Sequence, residues 1–137
     1  MHAFEVDFVR AFITRHRQDR WLEFLASKDR RGRFLDRLNH CRDFDDRFVT
    51  LVKLSDVELV SALVKQGAPR SCYVLSDDDS LDAQEMLLAD AVAGASSSGW
   101  GTIVICIPDR LAYYYDECGE RRMILNRPME KQSAAGS

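Results

Sequence analysis

Apolar residues recur every three or four positions through residue 66 and then, beyond residue 70, at every second position or in short unbroken runs. A period near 3.6 builds helices with one buried face, and a period of two builds strands. That switch constrains the fold more than any other feature, because a segment patterned for one cannot bury its apolar side in the other.

In the helical half, Phe4, Phe8, Ala11 and Phe12 mark a first helix over residues 4–16. Trp21, Phe24 and Leu25 mark a second, and Phe34, Leu38 and Cys41 the inner face of a third over 28–41, with Ser27 placed to cap it. The fourth is the best specified. Ser55 and Glu58 have the spacing of a reciprocal capping box, and Leu54 and Leu59 that of a hydrophobic staple. Gly67 and Pro69 then stop the helix, which predicts bounds of about 55–66.

Past the switch, Ser71 to Ser76 reads as a strand and residues 83–95 as a fifth helix. Thr102 to Ile107 is apolar on both faces, as a central strand must be. The segment from Ile107 to Arg110 carries Pro at the second position of a turn, so Leu111 to Tyr115 returns antiparallel and Arg121 to Leu125 completes a meander. The expected fold class is α+β: three or four N-terminal helices, then a β-α-β-β-β unit forming a small mixed sheet packed against helices. A single domain over 1–127 and a disordered tail over 128–137 follow.

At 137 residues the chain suffices for one core without staples. Its four cysteines, at 41, 72, 106 and 118, include no Cys-x-x-Cys pair and read as reduced thiols of a cytoplasmic protein. Glu5 and Asp7 interrupt the N-terminus where a signal peptide would be apolar, and no run approaches the ~20 residues of a membrane span. The net charge of −3 conceals a dipole. Residues 14–42 hold nine Lys/Arg against four acids, and residues 77–99 hold six acids and no base.

Three constellations carry functional expectations. The acids Asp77, Asp79 and Glu85 follow a strand and precede a helix, where clustered carboxylates suit Mg²⁺ or Mn²⁺ and a metal-activated water would attack a phosphate ester. Helix-start acids also arise from the macrodipole alone. The bases Arg30, Arg33 and Arg37 lie on a helix on which Arg33, Arg37 and His40 form a stripe able to follow nucleic-acid phosphates. Pairs Asp29–Arg33 and Asp36–His40, each four residues apart, are expected to blunt that field. Last, Tyr113, Tyr114 and Tyr115 alternate across a strand, so one face packs under helices and Tyr114, with Trp100 and Arg110, offers a surface for a protein partner or a second copy.

His40 and Cys41, adjacent on a helix, diverge by about 100° and cannot act as a Cys–His pair. With no nucleophile elbow and no phosphate loop, the residues point away from an enzyme. The leading expectation is a non-catalytic binding or regulatory domain without a cofactor. A metal-dependent phosphate hydrolase and a nucleic-acid binder are the alternatives.

Overall fold

In a computed structural model, residues 2–128 are described; the expected tail from 129 onward lies outside them. The fold is α+β, with helices packed on a six-stranded sheet.

The helical half folds into short pieces. Helix α1 (Ala3–Phe12) is capped by the His2 ring, which accepts from the Phe4 amide at 3.1 Å. It ends before 16 because Ile13 turns extended and bridges to Phe44, burying its side chain. Helix α2 (Gln18–Ala26) follows a 3-10 turn, and α3 (Arg31–Leu35) tightens into another, Asp36–His40. The long third helix expected over 28–41 is therefore two pieces. The Ser27 hydroxyl accepts from the Arg30 amide at 3.3 Å, capping the intervening turn rather than a helix end. Helix α4 (Asp56–Lys65) matches its expected bounds, and both halves of the capping box form. Gly67 takes φ +105°, which a side chain would strain.

Strands β1 (Val49–Leu51), β2 (Ser71–Ser76), β3 (Gln84–Leu87), β4 (Thr102–Ile107), β5 (Leu111–Tyr115) and β6 (Arg122–Asn126) order as β1-β6-β5-β4-β2-β3. Every neighbouring pair is antiparallel, which corrects the expected mixed sheet. The correction traces to residues 84–87. Instead of opening the fifth helix, they fold back from Ala83 (φ +60°) and pair with β2, so that α5 runs from Leu88 to Ser98. β3 and β4 thus run the same way with β2 between them, and α5 crosses over from one to the other. The β4–β5–β6 meander forms as its turn signals predict.

Both faces of the sheet are covered. Leu75, Ile103, Tyr114 and Met123 stand in one cross-strand row, packed with Phe8, Phe12, Trp21, Leu38 and Phe44 of the N-terminal helices and turns. Val74, Val104, Tyr113 and Ile124 form the row beside it on the opposite face, against Leu59 and Leu63 of α4 and Val92 and Ala95 of α5. At ~1.5–3 kcal/mol for each large side chain fully buried, neither helical layer is dispensable.

Candidate functional site

The turn between α2 and α3 sets two short helices against each other and leaves a groove of about 630 Å³ between their outer surfaces. Arg20, Arg30, Arg33 and Arg37 line it, with Asp29 and Asp36. Its apolar base is Phe24 and Phe34, stacked in parallel with ring centroids 5.2 Å apart. Phe34 is pinned from below by the edge of Trp21, whose Nε1 donates to Asp43 at 2.9 Å.

The arginines lie over these rings. The guanidinium carbons of Arg20 and Arg30 sit 5.7 and 4.9 Å from the Phe24 centroid, and that of Arg37 5.3 Å from Phe34. Such contacts are worth ~0.5–1 kcal/mol at exposed sites, so they orient the cations more than they stabilise the fold. Arg30 also reaches Glu23 at 3.4 Å, and Arg37 reaches Asp43 at 3.2 Å. Arg33 has no carboxylate partner among the described residues. The expected pairs Asp29–Arg33 and Asp36–His40 do not form. The chain is α-helical only from 31 to 35, and in the 3-10 turn that follows residues four apart no longer align. His40 instead faces Glu117 at 3.0 Å.

The groove therefore unites Arg30, Arg33 and Arg37 as the sequence suggests and adds Arg20. Arg20 escaped notice because it belongs to a different helix, and only the α2–α3 turn brings it over Phe24.

The acids behave differently. Asp77 accepts from the Asn39 amide at 2.8 Å, Glu85 meets His2 at 3.2 Å, and Asp79 is exposed. These three are not brought together, and among the described residues no three His, Cys, Asp or Glu converge. Asp78 accepts from the amide and hydroxyl of Ser80 at 2.9 and 2.7 Å, which holds its carboxyl below the usual range. Part of this loop is structural. Asp82 accepts two bonds from Arg31, which also donates in bidentate fashion to the buried Glu5 at 2.7 and 2.9 Å and to the Leu25 carbonyl at 3.2 Å. Burial opposes the charge on Arg31, yet its hydrogen bonds to Glu5 and Asp82 prevail and raise its pKa. The Tyr73 hydroxyl also donates to Glu5. Nothing in the sequence signals this network, because its members lie on α1, α3, β2 and the 77–83 loop.

The tyrosine surface is corrected. Tyr114 is completely buried: its hydroxyl donates to the Leu38 carbonyl and accepts from the Cys41 amide, and burial pushes its pKa up. The sheet has no solvent-facing side for it to occupy, since helices cover both. Trp100 is 47% exposed at the start of β4, and Arg110 is half-buried in the turn at its far end. A six-residue strand, roughly 20 Å, separates them, so the three residues do not share one surface.

No described helix is long and apolar enough to cross a membrane. No family model, curated protein or solved structure matches this chain.

Proposed function

We propose that this protein is a non-catalytic binding domain whose groove between α2 and α3 takes hold of an acidic segment of a partner protein. The observation that carries the reading is the set of four arginines around one concave surface, three of them oriented over aromatic rings rather than extended into solvent. Guanidinium forks match carboxylates in pairs, and prior orientation reduces the entropy lost when they engage.

A protein partner fits this groove better than a nucleic acid. Phe24 already has guanidinium groups over it and Phe34 against it, which leaves no open ring face for a base to stack on. Asp29 and Asp36 on the lining repel a continuous phosphate backbone, whereas an acidic peptide can set an uncharged residue opposite each of them.

Fluorescence anisotropy with a labelled Glu/Asp-rich peptide and a labelled single-stranded oligonucleotide tests the proposal. Arg30→Glu/Arg33→Glu should fold normally, because both positions are exposed, and should abolish peptide binding. An oligonucleotide bound more tightly than the peptide, or a charge-reversed variant that binds as the parent does, would overturn it.

A further inference from the structure

We propose that Cys72, Cys106 and Met86 form a binding site for a soft monovalent metal, Cu(I), at the β3 edge of the sheet. The site is independent of the arginine groove, and its three residues belong to the opposite face of the sheet, the one that α4 and α5 cover.

The strand register sets the three residues side by side, and the Cys72 thiol donates to the Met86 carbonyl at 3.4 Å. Cys72 pairs directly with Met86 across β2 and β3. Tyr73 pairs with Ile105 across β2 and β4, so one further step of that ladder sets Cys72 opposite Cys106. Side chains directly opposite on neighbouring strands share a face, with Cβ atoms about 4.5–5.5 Å apart. Three adjacent strands thus present a row of two thiols and a thioether. All three belong to the α5-side layer and line the same cavity, of about 510 Å³.

Two further features suit a site. Cys106 is the residue left over where the β4–β5 register shifts between Ile105 and Ile107, and bulges of this kind re-aim a side chain. The cavity is also accessible. Cys72 and Cys106 are buried, but Met86 is half-buried on the edge strand, beside the exposed Leu87, and provides the way in.

The donor set selects the ion. Thiolate and thioether sulfur favour Cu(I), whereas Mg²⁺ and Ca²⁺ require oxygen ligands. Two cysteines with a methionine fall short of the four nitrogen, thiolate or carboxylate donors of a structural zinc site. Burial raises both thiols. Binding forms two Cu–S(Cys) bonds and a Cu–S(Met) bond, breaks two S–H bonds and releases two protons to solvent. Copper remains Cu(I) throughout.

Anaerobic titration of the full chain with Cu(I), in competition with a chromophoric Cu(I) chelator, tests the site. The background is Cys118→Ser, which removes the exposed thiol. One equivalent of copper should be withheld from the chelator, with a thiolate-to-copper band in the ultraviolet. Cys72→Ala and Cys106→Ala should each abolish retention. Met86→Leu preserves the volume of a half-buried side chain and should keep the melting temperature while weakening affinity by roughly tenfold. Failure to compete with the chelator, or loss of binding in Cys118→Ser alone, would overturn the proposal. Should the cysteine variants not fold, Met86→Leu decides: a folded Met86→Leu protein with unchanged affinity would equally overturn it.

Discussion

The Tyr114 hydroxyl donates to the backbone carbonyl of Leu38, tying the middle of the sheet to the 3-10 turn that follows α3. The same oxygen accepts from the Cys41 amide at 3.0 Å, so one phenol satisfies two buried backbone groups where no helix or strand does. Its neighbour Tyr113, on the other face, has a buried hydroxyl with no hydrogen-bond partner among the described residues. Arg122 lies beside it and works against the burial of the phenol, but does not meet hydrogen-bond geometry with it and gives its Nη1 to the Leu54 carbonyl at 2.7 Å.

These adjacent tyrosines should answer the same substitution oppositely. Tyr114→Phe strands a carbonyl and an amide, and should lower stability by about 1–3 kcal/mol. Tyr113→Phe removes an unsatisfied hydroxyl, and should leave stability unchanged or raise it by up to about 1 kcal/mol. Urea denaturation of the two variants measures the difference.

Arg31→Met should destabilise by about 3–5 kcal/mol, since it leaves the Glu5 carboxylate, 1% exposed, without its cation. Adding Glu5→Gln should recover part of that loss. A double-mutant cycle by thermal unfolding tests it, and strict additivity would show that the pair is not coupled.

Gly101→Ala should be among the most damaging small substitutions. A Cβ at this position would overlap the backbone of Leu38 and Asn39, which are fixed by Tyr114 and by the bond from the Gly101 amide to Asn39 Oδ1 at 2.7 Å. Overpacking against backbone costs about 1–3 kcal/mol or more. Gly32→Ala, inside α3 with open space around its Cβ, is the control and should unfold at or above the parent's midpoint.

Acid should reveal the capping box of α4. The Ser55 amide and hydroxyl hold the Glu58 carboxyl below its ordinary 4.5. A depressed carboxyl contributes stability above its unfolded pKa and loses it as pH falls through the folded one. The difference in melting temperature between the parent and Glu58→Gln should therefore be constant at neutral pH and shrink below about pH 4.5. A gap that widens in acid would contradict the cap.

The elements legible in the sequence are those whose reasons are local. Ser55, Glu58 and Gly67 bound α4 because a cap and a stop act within one turn of chain. The β4–β5–β6 meander is written in alternation and turn residues in the same way. Residues 84–87 misled because their composition suits a helix start as well as a strand, and only the open edge of β2 decided between them. The groove was half legible: Arg30, Arg33 and Arg37 are close in sequence, but Arg20 joins them through a turn whose angle no local rule sets.

What the sequence determined by itself was most of the division into helices and strands, residues 84–87 and the break after Leu35 excepted, since periodicity and capping are properties of neighbouring residues. Which side of each element meets solvent was decided only by the tertiary structure. Tyr114 looked like a surface residue until two helical layers closed on both faces of the sheet. The Glu5–Arg31–Asp82 contacts and the sulfur row of Met86, Cys72 and Cys106 likewise exist only after packing. Each joins residues distant along the chain, and burial and pairing between such residues depend on the whole arrangement rather than on any one segment.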